Sequence, residues 1–515
     1  MRRSLFAVLL SSVALPAAAE VSPEEVWSSY QSLLNAIGLD VAAVESREDT
    51  TLVLSDIAIS AALPQGIGTL TFDFGPIRLT DQGDGSVAVV YPEQTSLTAV
   101  LDLPGTEFEQ FHGEAEMSVA MQGSDIVVTG TPEDMVFRGS YDNASVELSR
   151  LELTGDEAIL AIFDADAVQF DMTIEGSQAA SRVRQEADLI IVESQSEVGA
   201  TRYDFAIDMP DLNTVQTNSG GTETSASSAA LALPRGGIDW LDVATAIRTG
   251  LSLEVQTVTT GNTSTAVTDI PSEVRSEQSS STDTTRVNFA LNEGGLKLSA
   301  GTEGTVGSFS LPDLLPMTVD VSLRAAEFDL AAPLLSTGTA QTARYAIAVD
   351  GLEIGDEVYR LADPAGLLPR EPISMDLDVS AEVRLLADLV DFLTIGEMID
   401  SGQTPVEVDS VSLNAGDLSA VGAALTSSGR FTLDFDDMDS FDGFPRPVGQ
   451  ARARLTGLNA VLDTLIEIGL VTTQDARNAR LGLSMFTEAA GDDTVESSVE
   501  VTEDGQVMVN GVRMR

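Results

Sequence analysis

Val168-Gln169-Phe170-Asp171-Met172-Thr173-Ile174-Glu175 alternates apolar and polar side chains without an error. A two-residue period places successive side chains on opposite faces of an extended strand, so this stretch has one oily face and one acidic face. The same rhythm returns at 317–324, 373–380 and 431–436, and in looser form at 70–74, 97–103, 146–153 and 499–507. Glycine and aspartate punctuation such as Asp81-Gln82-Gly83-Asp84-Gly85 separates these runs in the manner of hairpin turns. Ser55-Asp56 and Ser149-Arg150 each shift the alternation by one residue, as a β-bulge does. The expected fold is mainly β with peripheral helices, a β-rich α+β chain. Its sheet is long, curved and largely antiparallel, in one piece or two halves.

Helices are marked at fewer places. Ser22-Pro23-Glu24-Glu25 fits a capping box with proline at the first helical position. Val26, Tyr30, Leu33, Leu34 and Ile37 then fall on one face, and Gly38 closes the helix. Short helices are expected at 239–249, at 356–367 with a break at Pro364, and at 382–393. Leu455, Leu458, Leu462, Leu465 and Leu470 mark another, and Thr473 can cap one more that carries Ala476, Ala479, Leu483 and Phe486. A terminal hairpin turns at Glu503-Asp504-Gly505.

Four segments follow. Residues 1–19 read as a signal peptide: Arg2 and Arg3, an apolar run from Leu5 to Leu15, Pro16, then Ala17-Ala18-Ala19, with cleavage after Ala19. Residues 20–212 form the N-terminal helix and a sheet region. Residues 213–285 are rich in Ser, Thr and Gly and read as a polar connecting region with the 239–249 helix inside it. Residues 286–515 form a second sheet region that closes in helix–helix–hairpin over 455–515.

Composition narrows the chemistry. There is no cysteine, which excludes thiol catalysis and cysteine metal sites, and no later apolar stretch reaches membrane-spanning length. Formal net charge is −54, and loss of Arg2 and Arg3 with the leader would make it −56. Such a field repels phosphate backbones, so nucleic acid is not an expected partner. With 43 % hydrophobic residues the chain nonetheless has enough apolar surface to fold.

No catalytic constellation is found. His112 is the only histidine and stands in no nucleophile motif, so a structural role is expected. Asp434, Asp436, Asp437 and Asp439 are the densest carboxylate cluster and the one metal candidate, although their spacing fails the EF-hand template. No phosphate-cradling glycine motif is present, Lys297 being the lone lysine, and no cofactor is implied.

The segment from Leu455 to Glu488, followed by Val501-Thr502-Glu503-Asp504-Gly505-Gln506-Val507 and Val509-Asn510-Gly511-Val512-Arg513, resembles the C-terminus of a family of exported α-proteobacterial proteins. That family is known as domain of unknown function 2125. Tyr359-Arg360-Leu361-Ala362-Asp363-Pro364-Ala365-Gly366-Leu367-Leu368-Pro369-Arg370 is similar to a second piece of it. The resemblance implies a Gram-negative periplasm and carries over no activity, ligand or catalytic residue. At the level of fold type, a long sheet is also similar to envelope proteins whose curved sheets hold lipid.

The leading expectation is a non-enzymatic envelope protein, either structural or binding a hydrophobic small molecule or lipid. Its apolar concave face would be partly covered by helices at 22–38, 239–249 and 455–488. That face either packs a closed core, the expected outcome, or accommodates an acyl chain. A carboxylate-based hydrolase, with or without a divalent cation, and an assembly or adhesion module recruiting partners at sheet edges are the alternatives.

Overall fold

The computed structural model describes residues 20–63, 67–105, 111–155, 168–209, 212, 214–270, 274–312, 315–438, 440, 441 and 443–514. Residues 1–19, where the signal peptide is expected, and Asp439 lie outside the described residues. The rest is mainly β, 65 % strand against 13 % helix, in one antiparallel sheet of 26 strands.

The pairing runs across the sheet nearly in chain order. At one edge β1 (Asp40–Glu48) pairs β2 (Thr51–Ala62). The next three positions are each shared by two shorter strands laid end to end. These are β3 (Thr69–Phe74) with β4 (Ile77–Asp81), then β5 (Val87–Val90) with β6 (Gln94–Leu103), then β7 (Phe111–Gln122) with β8 (Asp125–Thr131). Three long strands follow, β9 (Asp134–Thr154), β10 (Gln169–Gln185) and β11 (Leu189–Met209).

Then come β12 (Thr214–Thr222) with β13 (Thr224–Pro234), β14 (Ser252–Ile270), β15 (Val274–Asn292), β16 (Gly295–Leu311) and β17 (Leu315–Ala332). The far part is β18 (Gln341–Ile354), β19 (Ile373–Leu385), β20 (Val406–Ala420), β21 (Ala423–Asp434) and β22 (Arg446–Thr456). β22 pairs β24 (Thr494–Val501), which is flanked by the short β23 (Glu488–Gly491), β25 (Val507–Val509) and β26 (Val512–Arg513).

Residues 213–285 therefore do not connect two sheets; they supply four strands of a single one. Serine and threonine are compatible with a pleated ribbon, and polarity on both faces hides the two-residue period. A second correction concerns 382–393. Residues 382–385 finish β19, and the helix begins only at Phe392 where the Asp391 carboxylate accepts from Thr394 N at 3.0 Å. Smaller ones follow: β21 stops at Asp434, Leu455 belongs to β22, and Thr472 rather than Thr473 is the cap.

The helices are α1 (Pro23–Ala36), α2 (Val243–Arg248), α3 (Asp356–Ala362), α4 (Phe392–Asp400), α5 (Leu458–Glu467) and α6 (Thr473–Ser484). The capping box of α1 forms as read, with Ser22 Oγ accepting from Glu25 N and Ser22 N donating to Glu25 Oε2 at 2.8 Å. Its face carries Val26 and Trp27 into a core of Leu52, Leu54, Leu79, Val87, Val128 and Met135. A second core joins Ala36 to Val183, Ile190, Leu233, Ile247, Leu251 and Leu335. Both cores sit at the same end of the strands.

Candidate functional site: a charge-free trough

α1 shows that the sheet is curved. It touches β1, β2, β4 and β13. From β2 to β13 the sheet takes seven interstrand steps, about 34 Å if it were flat. The 14-residue helix is only about 21 Å long. The sheet wraps around α1, with its apolar side inward. Trp27 Nε1 donates to Glu45 Oε1 at 2.9 Å on one wall, while Tyr30 meets the Phe137 ring edge-on at 5.4 Å on another.

Loops close the same end farther along. Val243 N donates to Val390 O, Phe392 N to Leu241 O and Leu389 N to Leu334 O. Arg248 is held bidentate by Asp388, at 2.5 Å and 3.3 Å. Three connections rooted at β13, β17 and β19 are thus stitched together over the strand ends.

A crease crosses the sheet at mid-height. Asp142, Gly176, Gly199, Glu223, Gly261, Asp283, Gly304, Arg324 and Gly351 are the positions at which the ladder between successive strands skips. Gly176, Gly261, Gly304 and Gly351 have φ of +77°, +62°, +65° and +69°. At each such position the alternation changes phase. In β10, Phe170, Met172 and Ile174 are half-buried while Asp171, Thr173 and Glu175 are exposed; beyond Gly176, Ser177, Ser181 and Val183 turn inward and Gln178 and Arg182 outward. The crease keeps one face continuous although the sequence period breaks.

Directly opposed residues of an antiparallel pair share a face, so the register traces the lining. One row runs Val119, Val146, Met172, Tyr203, Gly220, Ser264, Ser280, Gly307, Val321, Ile354. Another runs Met375, Leu418, Leu425, Leu455, Val495. From β9 to β24, the crease residues aside, no Asp, Glu, Lys, Arg or His falls on this face. Ionised side chains of these strands project from the other face, as in the pairs Arg182–Asp134 and Arg344–Asp378.

Away from the two cores the apolar lining is only half-buried, and Leu418 is 45 % exposed. Total accessible surface is 29423 Å², against about 18,000 Å² for a compact globule of this mass. A wholly closed core, the first expectation, does not fit that area. The five cavities described, 510 to 840 Å³, are depressions between rows of long side chains on the opposite, charged face.

The residues singled out in the sequence take other positions. His112 lies at the start of β7, half-exposed, its Nδ1 2.7 Å from Asp102 Oδ1 on the neighbouring strand. Asp434 and Asp437 are both engaged by Arg446, Asp437 at 3.0 Å. Asp437 also accepts from Ser440 Oγ at 2.7 Å, and Asp436 N donates to Asp434 Oδ1 at 3.1 Å. This is an arginine-centred turn, and no group of three possible metal-binding side chains occurs among the described residues.

Carboxylates whose titration is displaced are held below their usual range by specific donors. For Asp134 the chief cause is Arg182, for Asp378 Arg344 and then Asn414, for Asp363 the backbone N–H of Leu368. The trough itself has no sequence motif. Its signal was the two-residue period, broken for the reader wherever a crease residue intervenes. No family model matches the chain, and no curated protein matches it.

Proposed function

We propose that the protein is a non-catalytic carrier of an elongated hydrophobic molecule, held against the trough and working in the periplasm after export. The reading rests on one observation: on the side of the sheet that wraps α1, the face from β9 to β24 is free of charge apart from the crease residues, in a chain of net charge −54. Charged residues are this common only because their strand positions are segregated to one side, and a face kept dry-compatible yet left half-open suits an acyl chain better than water. Membership of the exported family noted above belongs to the same proposal.

The β1 edge speaks against recruitment by strand addition there. β1 is bulged between Ala42 and Val44, carries Asp40, Glu45, Arg47 and Glu48, and is clasped by α1 through Arg47–Glu24 and Trp27–Glu45. Charge, a bulge and a covering helix are the devices that blunt an edge.

The test is native purification, solvent extraction and mass spectrometry, followed by uptake of a fluorescent sixteen-carbon fatty alcohol by the delipidated protein. Co-purifying acyl species and uptake that falls about tenfold in Met172→Asp are expected. An empty extract with no uptake by the folded protein overturns the proposal.

A further inference from the structure

The trough lining is not uniform. Along β9 to β11 and again from β17 onward it is mostly apolar, Ser177, Ser181, Ser194 and Ser196 being exceptions below the crease, but above the crease β12, β14, β15 and β16 interrupt it. There the register brings Gln216, Asn218, Ser264, Gln278, Ser280 and Thr282 onto the same face as Phe205 and Val321. These side chains are amides and hydroxyls only. Asn218 Oδ1 accepts from Tyr203 Oη at 3.3 Å and from Ser264 Oγ at 3.4 Å, which orients its amide. Four strands make this band about 15 Å wide. Glu254, Asp269, Glu277, Arg286, Lys297 and Glu303 of the same strands all fall on the opposite face.

Resting on the carrier reading, we propose that the trough is specific for amphiphiles with an uncharged, hydroxyl-rich headgroup, of the neutral glycolipid class. The acyl chains lie on an apolar panel and the headgroup on the amide and hydroxyl band. Amides and hydroxyls both donate and accept, which matches a polyol. A phosphate or carboxylate brought there meets no cation on the face, and the net charge of the molecule opposes it. Arg324, at the crease nearby, is already paired with Asp350 at 3.0 Å. An ammonium headgroup meets no carboxylate among the band residues themselves; Glu223 and Asp283 stand at the crease that bounds the band, lying over Gly261 and Gly304.

Delipidated full-length protein is mixed with phosphatidylcholine vesicles carrying one fluorescent dioleoyl probe: the galactosyl glycerolipid, phosphatidylglycerol, or the trimethylammonium lipid. Uptake of the galactosyl probe exceeds that of either charged probe by about tenfold at physiological salt. Ser280→Arg moves the preference to phosphatidylglycerol, whereas Ser308→Arg, on the opposite face beside Ser279, leaves it unchanged. Equal uptake of all three, or preference for a charged probe, overturns the headgroup assignment and leaves the carrier reading standing. Failure to take up any acyl probe overturns the carrier reading itself. The wild-type comparison decides the matter even if the Ser280 variant does not fold.

Discussion

Gly304 adopts φ +65°, and a β-carbon there would stand 2.1 Å from Asp283 Oδ2 on the adjoining strand. Gly123 and Gly261 have the same relation to Asp142 and Glu223, so small residue against acid repeats along the crease. Gly304→Val should cost roughly 2 kcal/mol, from left-handed strain and displacement of Asp283, seen as a lower urea midpoint with unchanged slope. A variant as stable as the parent would show that the crease does not depend on glycine. At this scale the sequence was only half legible. The runs 168–175 and 317–324 were read correctly and stopped where they should, at Gly176 and Arg324. Nothing local said that the face continued beyond, because continuity depends on neighbouring strands skipping at the same height.

Among the elements α1 was the most legible, since capping box, N1 proline and apolar stripe lie within one short stretch. Ser22→Ala should destabilise the protein by about 1 kcal/mol, measured by urea unfolding, because the Glu25 N–H loses its acceptor. The helix also gives the closed end a pH dependence. Burial pushes the phenols of Tyr30 and Tyr91 above their ordinary value of 10.0. In the unfolded chain both ionise near 10, so their stabilising share is intact below that pH. It falls as pH rises from there toward the folded values. Melting temperature should therefore drop as pH rises above about 10, and drop less in Tyr30→Phe. An equal drop in that variant would remove Tyr30 as the cause. The helix expected at 382–393 failed for a reason of the same scale. Its residues suit either structure, and pairing of 383–385 with β20 decided for strand, leaving Asp391 to cap α4.

For the whole molecule, an accessible surface this large and a sheet this wide predict an extended particle. Small-angle scattering should give a radius of gyration well above the ~24 Å of a compact chain of this length. A value at ~24 Å would mean that the trough closes on itself. What the sequence by itself determined was the class of structure and its polarity. Period-two alternation is a local property of the covalent chain, so strands with one dry and one charged face follow from it, as does the capped helix at 23–36. What only the tertiary structure decided was that four strands of the one sheet draw on 213–285, that the strands from β9 to β24 present their uncharged faces to the same side, and that this side curves around α1. Those facts arise from register between residues distant in sequence, where a hydroxyl-rich strand is admitted by its neighbours' hydrogen bonds rather than by any oily pattern of its own.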